Sequence, residues 1–367
     1  MFFWRSLARS DWFLTGALTL LIALGLATLF SLSSVSVFPF FRRQLLWLAV
    51  GLVFLITGSA VDFRIFRTQT VAVVLFYGLA VALLFLVLLL HLRVRGVESW
   101  LSLGGLTLQP VEPMKLALII LLAKFFSKRH VEIFRIQHVI VSGLYAAVPV
   151  LLVLVQPDLG SAIILMTTWA AIVMFSGMRL RHFFVLIMIG VVVAGGFWHW
   201  GLAPYQKARV TSFLNPYADP RGAGYQMIQS MIAVGSGRIW GKGLGYGSQS
   251  HLNFLPEAEA DFIFAAFAEE WGFAGAVVLI GLIFFVLCRI VLIGMRASDN
   301  FSRLYTVGFA AVIFMQSFIH IGTNMGILPI TGITLPFVSY GGSSLVTLLL
   351  GVGIVQNIAM NARRDVE

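Results

Sequence analysis

Apolar stretches about 20 residues long recur along this chain, and that repetition constrains its fold more than any motif does. Ten such runs fall at 13–35, 44–61, 69–90, 112–127, 139–155, 159–177, 183–201, 262–288, 304–326 and 342–360. Of the 367 residues, 59% are hydrophobic and 11% charged, and the mean hydropathy is +0.96. A soluble fold of that size would need far more polar surface. The expected fold class is an all-α polytopic membrane protein with about ten transmembrane helices. They form a single domain over 1–367, with a long extracytoplasmic loop at about 202–261 between spans seven and eight. The first run has no small-residue cleavage site and more spans follow it, so it reads as a span and not as a signal peptide. Cys288, the single cysteine, lies in an apolar run, which excludes a disulfide framework and a cysteine metal cluster.

The net charge of +10 would suggest nucleic acid in a soluble chain. In a polytopic chain it is read as loop charge that orients the spans, and no nucleic-acid partner is expected. An even number of spans puts both termini on one side. Loops on that side carry the larger share of the 25 Lys and Arg, including Arg64, Arg67, Lys128, Arg129, Arg296 and Arg303. Both termini are therefore expected in the cytoplasm. On the opposite side stand Arg42, Arg43, Arg93, Arg95, Lys115, Lys207, Arg209, Arg221, Arg238 and Lys242. Snorkelling to headgroups accounts for any one of these. Together they suit an anionic ligand such as a lipid pyrophosphate.

The polar loop before span eight is rich in Gly, Pro and Tyr. A loop of that length is either disordered or functional. Within it, YQMIQSMIAV at Tyr225 to Val234 has helical apolar spacing, with Gln226 and Gln229 three apart on one face. It reads as an interfacial helix followed by a glycine-rich re-entrant loop, a backbone tolerated at membrane depth only inside protein or beside a wet cavity. The acids Glu257, Glu259, Asp261, Glu269 and Glu270 then crowd the mouth of an apolar helix. An acid in such a place is by default a functional-site hypothesis, because its charge is costly in lipid. Beyond span nine, Pro329 and Pro336 break any helix. Gly341 and Gly342 lead into Ser343 and Ser344, which read as an anion or sugar site or simply as a capped helix start.

Five stretches in this order resemble the SEDS family of cell-wall proteins, the RodA/FtsW peptidoglycan polymerases. They are QPVEPMK at Gln109 to Lys115, QPDLGSA at Gln156 to Ala162, and GYQMIQSMIAVGSGRIWGKGLG at Gly224 to Gly245. LPEAEADFIFAAFAEEWG at Leu255 to Gly272 and LPITGITLPFVSYGGSS at Leu328 to Ser344 complete the set. QSHLNFLPE and NPYADPRGAGYQ look more like the RodA branch, which serves elongation and cell shape. The chain departs from the family pattern at Glu259 and Ala260, where His and Thr are usual, and at Ser99, where Arg commonly precedes the Trp.

The resemblance implies a glycosyltransferase of the bacterial cytoplasmic membrane that polymerises lipid II, a disaccharide-pentapeptide on undecaprenyl pyrophosphate, on the outer face. It implies a class B penicillin-binding protein as partner. The family's essential acid, in the motif PE-x-x-x-DF, falls on Asp261.

Chemistry fits that assignment. Joining a sugar to the 4-hydroxyl of another, with an α-linked pyrophosphate leaving and a β-linked product, inverts the anomeric centre. Pyrophosphate departs as a stable anion and needs no acid, so one base and several cations suffice. The two carboxylates of a glycosidase are not required. Asp261 is the expected general base. Glu112 and Lys115 are an i,i+3 pair at the outer end of span four, read both as an ion pair and as a cavity wall whose Lys115 reaches phosphate. Arg209 and Lys242 are the phosphate candidates of the loop. Glu257, Gln226 and Ser343 complete the substrate-binding set. Carboxylates and a pyrophosphate can share Mg²⁺ or Mn²⁺, although no ligand spacing demands a metal and no organic cofactor is expected. Glu269 and Glu270 are left between a structural and a site role, and His251 and His320 read as buried, hydrogen-bonded histidines. A lipid II flippase and a non-catalytic scaffold for the class B enzyme are the competing functions.

Overall fold

The computed structural model describes residues 10–33, 40–61, 64–90, 101–103, 106–128, 136–178, 211–222 and 224–364, with isolated residues between 184 and 207. Helices α1 (Trp12–Ser33), α2 (Phe40–Ala60), α3 (Arg64–Thr68) and α4 (Thr70–Leu90) come first. A short hairpin follows, β1 (Leu101–Leu103) and β2 (Leu106–Leu108), antiparallel with Leu101 opposite Leu108. Then come α5 (Val111–Ser127), α6 (Ile136–Val155) and α7 (Leu159–Phe175). The polar region holds α8 (Tyr225–Ser236) and the single turn α9 (Ser248–His251). Helices α10 (Ile263–Arg296), α11 (Asn300–Asn324) and α12 (Gly342–Arg364) complete the chain. Nine of the ten expected spans coincide with these helices, and the run at 183–201 lies outside the described residues.

Burial sorts the helices into centre and rim. Along α5 nearly every residue from Val111 to Ala123 is buried, and α11 and α12 are mostly buried as well. By contrast α2 and α4 turn Leu46, Val53, Val71, Leu75 and Leu89 outward. Exposed apolar side chains on helices of this length face lipid, where exposure carries no hydrophobic penalty. The rim is fastened to the centre by small residues. Gly51 sits against Leu349, Gly58 against Leu350 and Gly353, and Gly353 against the Leu55 carbonyl. Close backbone approach of this kind drives helix association in lipid.

Helix ends are capped where the sequence supplies acids. Asp158 accepts from the Ser161 amide at 3.0 Å to start α7, and Asp299 does the same for Ser302 at α11. Asp11 caps α1 through the Leu14 amide and also pairs with Arg289 of α10. Gln356 of α12 brackets Asp11, accepting its amide proton at 2.8 Å. The beginning of α1 and the far part of α12 therefore share one side of the bundle.

Helix α10 is 34 residues long, about 51 Å at 1.5 Å per residue, against a hydrocarbon core of about 30 Å. The excess is resolved by a break at Gly272, whose φ of +68° and ψ of −168° belong to no helix. Residues Ile263 to Glu270, before the break, are all buried. After it, Phe273, Val277 and Phe284 are exposed apolar residues of a lipid-facing segment. The short segment before the break is thus an internal helix and the longer one after it a span.

Candidate active site

The acid-rich motif folds as a tight loop in front of α10. Glu257 takes a left-handed φ of +51°, and its carbonyl accepts from three amides, those of Ala260 at 3.1 Å, Asp261 at 3.0 Å and Phe262 at 3.3 Å. This convergence places half-buried Asp261 immediately before the first turn of α10. Free amides at a helix start favour an anion there.

The loop is then fixed from outside, one carbonyl at a time. Glu259 O accepts from the Tyr340 amide at 2.9 Å. Ala260 O accepts from the Ser339 hydroxyl at 2.8 Å. Asp261 O accepts from the Asn324 side-chain amide at 3.0 Å. Asn324 Oδ1 in turn accepts from the Ala265 amide at 2.9 Å, closing the α10 N-terminus from the neighbouring helix. Ser339 and Tyr340 belong to the expected non-helical segment before α12. Gln44 of α2 holds that segment from behind, donating to Ser339 O at 3.2 Å.

The same segment spans the site. A Cβ on Gly332 would lie 3.6 Å from Asp261 Oδ2, so backbone without a side chain faces the acid. One residue on, Ile333 packs over Gly160 of α7, and its carbonyl lies 2.7 Å from His320 Nδ1. Gly160 is two residues from Asp158, which interacts electrostatically with both Lys115 and Glu112. Burial pushes the Asp158 carboxyl above its ordinary value, against the downward pull of its Ser161 hydrogen bonds and of Lys115. Glu112 and Lys115 are each less than 5% exposed, with Nζ 2.8 Å from the carboxylate. Residues 331–333 therefore touch Asp261 on one side and the α7 start, beside the Glu112–Lys115 pair, on the other.

Ser343 is buried, and its hydroxyl accepts from the Gln109 amide at 3.1 Å, tying the start of α12 to the residues that open α5. Gln226 is half-buried on α8, a helix anchored by the Ser230 hydroxyl to Asn324 O at 2.8 Å. Glu257 is exposed. Arg209 lies outside the described residues.

Lys242 stands in a different setting from the acid. Its Nζ lies 2.7 Å from Glu269 Oε1 and 2.7 Å from the Ser248 hydroxyl. Fully buried Glu269 also accepts from the Gln249 amide at 2.9 Å and from the Ser250 amide and hydroxyl at 3.2 and 3.0 Å. Its neighbour Glu270 accepts from the Gly245 amide at 3.0 Å and from the Ser31 hydroxyl, with His251 Nε2 at 3.0 Å. These two acids clamp the glycine-rich loop. Of the two roles left open for them by the sequence, the contacts assign the structural one.

Backbone completes the clamp. A continuous helix would give the carbonyls of Glu269 and Glu270 to the amides of Phe273 and Ala274. At the Gly272 break they accept instead from Lys242 and Gly243, both at 3.0 Å. Phe273 and Ala274 donate to the carbonyls of Arg238 and Ile239 at 2.8 and 3.0 Å. The expected re-entrant loop is thus inserted into the helix it precedes, satisfying the polar groups that the break exposes.

Among the described residues no three His, Cys, Asp or Glu side chains converge to hold a metal ion. A cage built by protein alone is therefore not formed there. Asp158, Asn324 and Ser339 were not singled out from sequence as site residues. Asp158 stood in plain view in QPDLGSA, but Asn324 and Ser339 act through partners about 60 and 80 residues away, which no local spacing reveals.

Comparison with known proteins matches this architecture to relatives along its whole length. The cell cycle protein family of FtsW, RodA and SpoVE matches residues 8–364. Stage V sporulation protein E of Bacillus subtilis (strain 168) is 37% identical over 355 residues, 94% of this chain and 95% of that protein. Peptidoglycan glycosyltransferase MrdB of Escherichia coli K12 is 36% identical over 321 residues, 86% of this chain and 85% of that protein. Among solved structures, one reporting the structural coordination of polymerization and crosslinking by a peptidoglycan synthase complex superposes with a TM-score of 0.81 at 33% identity. It covers 97% of this chain and 99% of that one. The rod shape determining protein RodA of Thermus thermophilus superposes with a TM-score of 0.70 at 28% identity, over 95% and 96% of the two chains. The chain belongs to the FtsW/RodA/SpoVE family of cell cycle proteins.

Proposed function

We propose that this chain, a peptidoglycan glycosyltransferase by kinship, polymerises lipid II at the outer face of the bacterial cytoplasmic membrane with Asp261 as general base. The observation that carries the reading is the seating of Asp261 before α10, with its backbone held by Asn324 and its carboxylate facing Gly332. Glycine there leaves room for a sugar to approach the acid. In the transfer, the acceptor 4-hydroxyl gives its proton to Asp261 as its oxygen bonds to the anomeric carbon of the donor. The bond from that carbon to the pyrophosphate breaks, and the lipid pyrophosphate leaves with the electron pair. Positioned proton transfer of this kind contributes about 10²–10⁴-fold.

Lys115, buried against Glu112, is the cation we assign to the phosphates, with Arg209 and Lys242 in support and Glu257, Gln226 and Ser343 as sugar or peptide contacts. The Glu112–Lys115 pair lets a cation persist at membrane depth without a net charge. A divalent cation fits best as an ion shared between one carboxylate and the substrate phosphates. It would add positive charge at the leaving group when bound. The relative solved in a synthase complex that couples polymerization and crosslinking supports a class B penicillin-binding protein as partner. The bias of Lys and Arg toward the loops on the side of both termini supports a cytoplasmic placement for them.

The test supplies lipid II to the purified chain in detergent, with and without a class B partner and with Mg²⁺, Mn²⁺ or chelator. Glycan chains read on a gel support the reading. Transfer of lipid II across a vesicle bilayer with no chain formation would replace it with the flippase.

A further inference from the structure

The base-loop carbonyls of residues 259, 260 and 261 all accept from residues outside the loop, and the one at the acid itself accepts from the Asn324 side chain. Asn324 is fully buried at the end of α11. Its Nδ2 donates to Asp261 O at 3.0 Å and to His320 O at 2.8 Å. Its Oδ1 accepts from Ala265 N at 2.9 Å, and its own carbonyl accepts from the Ser230 hydroxyl of α8 at 2.8 Å. Both donors and the acceptor of the amide are used, and they join α11, the first turn of α10 and the acid. No other residue type of this size offers two donors and an acceptor on one planar group.

We infer that Asn324 is the positioning residue of Asp261. It sets where the carboxylate stands by gripping the acid's own carbonyl and the amide one turn further on. Resting on the assignment of Asp261 as base, this adds the group that orients it. The Ser339 and Tyr340 bonds hold the preceding carbonyls, so loss of Asn324 releases the acid's carbonyl while the rest of the loop stays attached. The physical consequence is specific. Misplacement of a reacting group by about 1 Å costs on the order of 10²-fold in rate, while substrate contacts made elsewhere are kept.

The experiment compares Asn324→Asp, Asn324→Ala and Asp261→Asn in detergent with lipid II and the class B partner. It measures kcat, KM, thermal unfolding and peptide-level hydrogen exchange. Asn324→Asp keeps the shape and the acceptor for Ala265 and replaces the two N–H donors by a carboxyl oxygen facing the Asp261 and His320 carbonyls, so it remains informative if the alanine variant fails to fold. The expected result is a fall in kcat of about 10²-fold in both variants, with KM changed by less than about threefold. Faster exchange is expected only in the peptide around 257–265. A folded variant with wild-type kcat overturns the inference, and so does a loss that appears in KM with exchange rising throughout α10 and α11. If Asp261→Asn keeps the wild-type rate, the base assignment fails, and the positioning role with it. If Asp261→Asn is inactive while both Asn324 variants turn over normally, the positioning role alone fails.

Discussion

Gly272 and Gly241 are pressed backbone to backbone, so that a Cβ on Gly272 would overlap the amide nitrogen of Gly241. This contact lets the loop at 238–243 enter the break in α10 and satisfy two carbonyls and two amides at once. Gly272 also has a conformation that only glycine adopts readily.

Replacing Gly272 by Ala should therefore cost more than about 2 kcal/mol in stability, read as a lower unfolding temperature in detergent. Gly281, nine residues along the same helix with nothing within 4 Å of an added Cβ, is the control. Gly281→Ala should leave the unfolding temperature unchanged or slightly raised.

Glu269→Gln should loosen the glycine-rich loop, because Lys242 loses its charge partner and the oxygens serving Gln249 and Ser250 are reduced to one. Leaving buried donors unmatched costs about 1–3 kcal/mol. Limited proteolysis is the measurement, with faster cleavage expected between 237 and 251. Unchanged cleavage would remove the clamp role from Glu269.

Breaking the buried pair from one side, by Glu112→Gln or Lys115→Met, leaves an uncompensated charge and should destabilise by about 3–5 kcal/mol. The double variant should recover stability yet fail to polymerise, since the cation assigned to the phosphates is gone. Thermal unfolding and the polymerisation gel, run on all three, separate these outcomes. A double variant with normal chain formation would take Lys115 out of the site.

The span pattern was legible because lipid imposes a length and a composition on each helix, and α1, α2, α4, α11 and α12 fall where the apolar runs place them, whereas the run at 262–288 joins the internal start of α10 to a span that begins only after Gly272. The helix at Tyr225–Ser236 was legible from its spacing, and the unwound segment after Asn324 from Pro329 and Pro336. The hairpin at Leu101 to Leu108 carried no signal that distinguished it from loop. Within the candidate site, Glu112 and Lys115 were found as charges in apolar surroundings, whereas the resemblance singled out Asp261 among five acids at the mouth of one helix. Asn324 and Ser339 were not found, because an uncharged polar residue gives no local sign of a partner about 60 or 80 residues away. Lys242 was read by its charge alone, and only the fold shows that Glu269 already faces it. Charge is visible in one dimension, whereas its compensation is a property of the folded chain.

The central claim is that Asp261 removes the proton from the acceptor hydroxyl. Its most direct test is the rate of glycan chain formation from lipid II by Asp261→Asn beside the unsubstituted chain, both with the class B partner and both shown to bind lipid II equally. A fall of at least about 10²-fold with binding retained is the predicted result. Chain formation by Asp261→Asn at the unsubstituted rate would contradict it.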